Sequence, residues 1–132
     1  MVIEKYLFEK NSHVSKFKFP QSYLDLMTIG LPDIAPWWWL ATHEDSLTYW
    51  EETLRNQFPS RSLIPFAKDG SSDDVACFDN SSSSKNPKIL TIHAFCSPGW
   101  ELRGEVRSFS EWLQKKEIEA VNFKTEDPDA DC

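Results

Sequence analysis

The chain has 132 residues, 40% of them hydrophobic and 27% charged, which suits one globular domain with a single core and excludes disorder throughout. Its formal net charge of −7 repels a phosphate backbone, so we expect no direct binding of nucleic acid and an attraction to basic partners. The same charge has a simpler interpretation, because it keeps a protein soluble whatever its function is.

The first ten residues, MVIEKYLFEK, alternate charged and apolar side chains and contain no apolar core of the signal-peptide type. No later run approaches the roughly 20 apolar residues that a membrane-spanning helix needs. We therefore expect a cytoplasmic protein with no membrane contact. The spacing of Val2, Ile3, Tyr6 and Leu7 predicts a short amphipathic helix over 1–11.

A second helix is predicted to begin at Pro20, whose missing N–H costs nothing in the first helical turn. Gly30 is suited to end this helix, because glycine tolerates a left-handed conformation, and Pro32 prevents its continuation. The apolar residues between these two ends recur at helical spacing: Tyr23, Leu24, Leu26 and Met27.

The aromatic run Trp37–Trp39 follows a proline and predicts a strand. Alternation along a strand turns Trp37 and Trp39 to one face and Trp38 to the other, so we expect at least two of them in the core. Tryptophan is also enriched in protein-binding hot spots, and Trp38 is therefore a candidate for contact with a partner.

A third helix is predicted after Thr42 or Asp45, either of which has a side-chain oxygen able to cap its first turn. Pro59 is expected to end it. The apolar residues of this segment recur at i, i+3, i+7 and i+11, which indicates one buried face: Leu47, Trp50, Leu54 and Phe58.

Segment 63–79, LIPFAKDGSSDDVACFD, predicts a β-hairpin, since two apolar runs flank a cluster of Gly, Ser and Asp over 68–74. Its aspartates offer oxygen ligands of the kind that Ca²⁺ or Mg²⁺ prefers, but their spacing departs from that of an EF-hand loop. Aspartate commonly hydrogen-bonds its own turn instead. We therefore predict no metal site, while an acidic tip that meets a basic partner stays open. These aspartates are Asp69, Asp73, Asp74 and Asp79.

The rest of the chain predicts a strand over 88–95, an irregular edge over 100–106 and a closing helix. Ser108 and Glu111 form a capping box at the start of that helix. The acidic residues 124–132 are expected to fray, so the predicted domain covers 1–123.

No recognisable catalytic motif is present. The three histidines, His13, His43 and His93, are far apart in sequence, and no glycine-rich phosphate-binding loop occurs. Cys77 and Cys96 lie in or beside apolar runs and are expected to be buried thiols. We predict neither enzyme activity nor a cofactor, although a site assembled from distant residues is an alternative.

Several segments, in this order, resemble the SUKH superfamily, which includes a fungal cell-wall-assembly regulator and many bacterial immunity proteins. FPQSYLDLMTIG (19–30) resembles its entry helix, and SRSLIPFAKDGSSDDVACFD (60–79) resembles its central hairpin. KILTIHAF (88–95) is similar to its next strand and RSFSEWLQ (107–114) to its closing helix.

The resemblance implies a single-domain α+β fold in which helices pack on a mostly antiparallel sheet. It also implies a non-catalytic immunity protein that binds and neutralises a cognate toxin, often a nuclease, through an acidic surface. The alternative is a regulatory or scaffold module with a cellular protein partner and no toxin. The expected contact residues are one tryptophan and a set of acids predicted to be exposed: Trp38, Asp69, Asp73, Asp74 and Glu101.

Overall fold

The computed structural model describes residues 17–81 and 86–125. Within them, three α-helices pack on a five-stranded antiparallel sheet, which confirms the predicted α+β class. The helix predicted over 1–11 and the end of the acidic tail lie outside the described residues. The elements in chain order are α1 (Gln21–Ile29), β1 (Trp37–Trp39), α2 (Glu44–Gln57), β2 (Leu63–Asp69), β3 (Asp74–Asp79), β4 (Ile89–His93), β5 (Leu102–Val106) and α3 (Phe109–Thr125).

The strands follow one another in space in the order β1-β2-β3-β4-β5, each antiparallel to its neighbour. The predicted hairpin is confirmed, with a turn over 70–73 that is shorter than expected because the strands extend to Asp69 and from Asp74. The segment predicted to be irregular contains β5, which forms the edge of the sheet next to β4.

One face of the sheet packs against α1 and α3 through aromatic side chains. The rings of Phe66 and Phe78 lie 4.5 Å apart, and Phe66 meets Trp112 of α3 at 4.8 Å. Tyr23 of α1 contacts Phe78 at 5.3 Å. Edge-to-face and tilted pairs of this kind add to the free energy of burial, so this layer is the main core.

The tryptophan run behaves as strand alternation predicts. Trp37 and Trp39 are buried in the same aromatic core, and each lies about 6 Å from the ring of Trp112. Trp38 points to the opposite face, where it is half-buried beside the ring of His43. Two of the three tryptophans are therefore core residues, as expected.

Helix α2 covers that opposite face. All four residues of its predicted apolar stripe are buried, which confirms the stripe. The predicted caps are wrong: the helix begins at Glu44, after a 3₁₀ turn over Leu40–Thr42, so the N-cap is His43. The Thr42 hydroxyl donates to the carbonyl of Trp39 at 2.7 Å, and Asp45 already lies inside the helix.

The ends of the other two helices agree with the sequence. Gly30 has φ +133° and donates its N–H to the carbonyl of Leu26 at 2.8 Å, a conformation that a side chain would strain. At the start of α3, Ser108 Oγ accepts the N–H of Glu111 at 3.3 Å. The Glu111 carboxylate accepts the N–H of Arg107 at 3.3 Å, one residue before the expected donor.

Candidate functional site

We call the β2–β3 turn with the residues that flank it the hairpin end, which comprises Trp38, residues 69–74 and His93. Gly70 donates its N–H to the carbonyl of Pro36 at 2.9 Å, which draws the start of β1 against the turn. Trp38 lies opposite Lys68 in the β1–β2 register. The sheet thus places the predicted tryptophan at the same end as the turn that carries three of the predicted acids, Asp69, Asp73 and Asp74.

The buried side chain of Lys68 stabilises the β2–β3 turn. The ammonium group of Lys68 donates to the carbonyl of Asp69 at 2.7 Å and also to the carbonyl of Ser72. It lies 5.4 Å from the centre of the Trp50 ring on α2, a favourable cation–π distance. The turn is therefore held by a fixed cation, which also offsets part of the charge of the aspartates.

Asp69 shapes the turn. Its carboxylate accepts the N–H of Ser71 at 2.9 Å, the hydroxyl of Ser71 at 2.8 Å and the hydroxyl of Ser72 at 3.1 Å. Burial alone would raise the pKa of Asp69, but these hydrogen bonds and the nearby Lys68 bring the pKa below its ordinary value. Its carboxylate thus accepts hydrogen bonds from its own turn. The sequence analysis gave this arrangement as the alternative to a metal site.

The other two aspartates differ from each other. Asp74 Oδ1 lies 2.9 Å from Nδ1 of His93 on β4 and 3.6 Å from Nε of Arg103 on β5, so Asp74 links three strands. Asp73 is exposed, and no cation of the described residues forms an ion pair with it. Its backbone carbonyl accepts the N–H of Ala94 at 2.9 Å, which fixes its position.

Glu101 was predicted to be an exposed acid, and this prediction is wrong. The residue is only 6% exposed, and its Oε2 accepts a hydrogen bond of 2.5 Å from Nε of Arg61. Its Oε1 accepts the N–H of Gly99 at 2.6 Å. The hydrogen bond from Arg61 lowers the pKa of Glu101 more than burial raises it. Its side chain is buried in the fold and does not belong to the exposed acidic surface.

Two aromatic residues near the hairpin end escaped the sequence-based search. Phe95 follows Ala94 and is 57% exposed, and its φ of +65° is rare for a bulky residue. Its N–H donates to Oε1 of Gln57 at 2.7 Å, and its ring packs on Trp50. Trp100, in the same loop, is 79% exposed. The exposure of both rings and the backbone angle of Phe95 are set by the tertiary structure, so no local sequence pattern singled these residues out as candidates for contact with a partner.

The pairing of His93 with Asp74 resembles the way a carboxylate orients a catalytic imidazole. The nearest thiol does not complete such a site, because Sγ of Cys96 donates to the backbone carbonyl of His93 at 3.1 Å and not to its ring. Cys77 is fully buried, and burial raises the pKa of its thiol, which disfavours the reactive thiolate.

Across residues 17–81 and 86–125, no group of three or more His, Cys, Asp or Glu side chains is arranged to hold a metal ion. The helices within those same ranges lack the combination of length and apolar character that crossing a bilayer requires. The hairpin end offers hydrogen-bonding groups and charge, and the loop after β4 adds exposed aromatic area from Phe95 and Trp100.

Comparisons of the chain with protein-family models, with curated proteins and with solved structures gave no match.

Proposed function

We propose that this chain is a non-catalytic protein-binding domain, and that its hairpin end binds a basic surface of a partner protein. The partner that the SUKH resemblance implies is a toxin, which the domain would neutralise by covering its active surface. The observation that carries the proposal is the position of Asp73. This exposed carboxylate forms no ion pair with any described residue, and its backbone carbonyl accepts the N–H of Ala94, which precedes the exposed Phe95.

The arrangement suits protein recognition for two physical reasons. Aromatic side chains supply a large contact area that loses little conformational entropy on binding, and they dominate many interface hot spots. The turn that carries Asp73 is already ordered by contacts of Lys68, Asp69 and Gly70, so binding does not have to order it.

Charge contributes to the rate of encounter. The net charge of −7 favours approach to a basic surface, and a carboxylate at the rim of an interface acts mainly on the association rate. Asp69 and Asp74 are occupied by contacts within the domain, so Asp73 is the aspartate of this turn that is available to a partner.

The test is co-expression with the product of the adjacent gene, followed by growth rescue and by measurement of the affinity of the purified pair. We expect Asp73→Lys to weaken binding about tenfold and Trp38→Ala or Phe95→Ala to weaken it at least as much. The matched control is Asp25→Lys, the same charge change at an exposed position on α1, which should alter affinity less than about twofold.

The outcomes separate the two candidate functions. Rescue from a toxic gene product that is lost in Asp73→Lys supports an immunity protein. A bound cellular protein without any toxicity to rescue supports the regulatory or scaffold alternative. Equal affinity of the Asp73→Lys and Asp25→Lys variants would exclude the hairpin end as the contact surface.

A further inference from the structure

Helix α2 carries an exposed aromatic ring that the contacts described above do not use. Tyr49 is 52% exposed, and the centre of its ring lies 5.0 Å from that of the buried Trp50. The exposed ring of Phe95 lies 5.9 Å from the same Trp50 ring. One buried indole therefore supports two exposed rings, one from α2 and one from the loop after β4.

The geometry of α2 places these two rings on one side of the helix. Residues four apart lie on the same helical face, so Tyr49, Thr53 and Gln57 form one row. Gln57 ends that row, and its Oε1 accepts the N–H of Phe95 at 2.7 Å. Since both rings also contact Trp50, a single partner surface that reaches Phe95 extends onto Tyr49.

Carboxylates flank the Tyr49 ring on the surface of α2. Asp45 lies one turn before Tyr49 and Glu52 one turn after it, so we call these three residues the Tyr49 face. Both acids are exposed, and no ion pair joins either of them to another described residue. Arg55, the one basic residue of α2, lies 3.6 Å from Glu51 instead. The Tyr49 face thus combines an open aromatic ring with two uncompensated negative charges.

We propose that the partner's contact with the hairpin end continues onto α2, where an arginine side chain of the partner stacks on Tyr49 and donates to Asp45 or Glu52. This inference rests on the proposed function, because it names a second contact on the same partner. A guanidinium group is planar and weakly hydrated, so it stacks on a ring while its edge donates N–H groups. The rings of Tyr49 and Trp50 are nearly perpendicular, at 87°, so their contact occupies no more than one face of the Tyr49 ring.

The test is an NMR titration of the full chain with the tripeptide tri-arginine. Tri-lysine is the probe of equal charge, and tri-glutamate is the probe of opposite charge. For ligands of this size we expect tri-arginine to bind with a dissociation constant of about 1 mM and to shift the backbone N–H signals of Tyr49 and Glu52. Tri-lysine should bind at least about threefold more weakly, because an ammonium group has no planar surface to stack, and tri-glutamate should not bind.

Variants of the ring locate the contact. Tyr49→Ala should weaken binding of tri-arginine at least about fivefold, because the stacking surface is lost. Tyr49→Phe retains that surface and should change the affinity less than about twofold. The matched control is Phe123→Ala, which removes a ring of similar exposure on α3 and should also change the affinity less than about twofold.

Variants of the flanking charge test the hydrogen bonds. Glu52→Gln should weaken binding of tri-arginine about threefold, because a charge-assisted hydrogen bond is lost. Glu117→Gln makes the same change at an exposed position on α3 and should have a smaller effect. All of these positions are exposed, so the variants should fold like the native chain.

Three results of the titration would overturn the proposal: no detectable binding of tri-arginine, equal binding of tri-lysine, and unchanged affinity in Tyr49→Ala. The partner itself separates this inference from the proposed function. A partner that loses affinity in Asp73→Lys but not in Tyr49→Ala contradicts the inference and leaves the proposed function standing. A partner that loses affinity in Tyr49→Ala but not in Asp73→Lys supports the arginine contact and removes the hairpin end as the contact surface.

Discussion

Nε of Arg61 lies 2.5 Å from Oε2 of Glu101, and this contact joins the segment between α2 and β2 to the residue that precedes β5. Glu101 also accepts the N–H of Gly99, so the pair fixes the loop after β4. That loop carries Phe95 and Trp100, the exposed aromatics beside the hairpin end. This partly buried ion pair therefore holds in place a loop that belongs to the proposed contact surface.

Replacing Glu101 by Gln should lower the free energy of unfolding by about 1–3 kcal/mol, because the partly buried guanidinium of Arg61 loses its counter-charge. Urea denaturation measures this change. The control is Glu105→Gln, which breaks an exposed pair with Lys88 of 3.4 Å and should cost less than about 1 kcal/mol. A Glu101→Gln variant as stable as Glu105→Gln would contradict a stabilising role for the buried pair.

Stability should fall in acid partly because of the same carboxylate. The pKa of Glu101 in the folded protein lies below its ordinary value of 4.5, so the unfolded chain takes up a proton first as the pH drops. The contribution of Glu101 is therefore fully present above about pH 4.5 and is lost as the pH falls through the folded pKa.

Urea midpoints between pH 7 and pH 3 should thus decline less steeply in Glu101→Gln than in the native chain, with Glu105→Gln behaving like the native chain. Asp69, whose pKa is also lowered, accounts for part of the decline that persists in Glu101→Gln. Parallel curves for Glu101→Gln and the native chain would refute this assignment.

Substitutions of the adjacent residues Asp73 and Asp74 should differ in their effect on the free energy of unfolding. Asp74→Asn should lower the free energy of unfolding by about 1–2 kcal/mol, because it weakens contacts with both His93 and Arg103. Asp73→Asn should change it by less than about 0.5 kcal/mol, since its side chain is exposed. Thermal or urea unfolding compares them directly, and an equal loss in both variants would contradict the different environments described for them.

Gly70 should tolerate no side chain. A Cβ atom built on it would lie 2.7 Å from the carbonyl oxygen of Pro36, so Gly70→Ala must push β1 away from the turn. We expect a loss of about 1–3 kcal/mol in unfolding free energy and weaker partner binding through displacement of Trp38. Gly104→Ala is the matched control, because nothing lies within 4 Å of its Cβ position and the change should stay within about 0.5 kcal/mol.

Much of the fold could be predicted because its signals are local. The hairpin over 63–79, the apolar stripe of α2 and the end of α1 at Gly30 each depend on residues that lie close to one another in the sequence. Periodicity and turn chemistry act over that range, and they agree here with the tertiary packing. The division of the tryptophan run between the two faces followed from strand alternation alone.

The prediction of the N-cap of α2 failed because of the residues that immediately precede the helix. Thr42 has the right chemistry for an N-cap, but a 3₁₀ turn precedes the helix and places its hydroxyl against the carbonyl of Trp39. The helix then begins at Glu44, one residue later than an N-cap at Thr42 would have required. Propensity identifies a capable residue, whereas the path of the preceding chain decides whether that residue is used.

The candidate sites themselves were decided by tertiary structure. The sequence by itself determined an acidic α+β chain with aspartates gathered at one turn and tryptophans in one strand. Which carboxylates are free was set by partners far along the chain: His93 lies 19 residues from Asp74, and Arg61 lies 40 residues from Glu101. Pairing over such distances depends on how the strands and α2 pack. The free energy of a charged side chain depends on the groups and solvent that surround it. No local sequence pattern could therefore distinguish the exposed Asp73 from the buried Glu51 and Glu101.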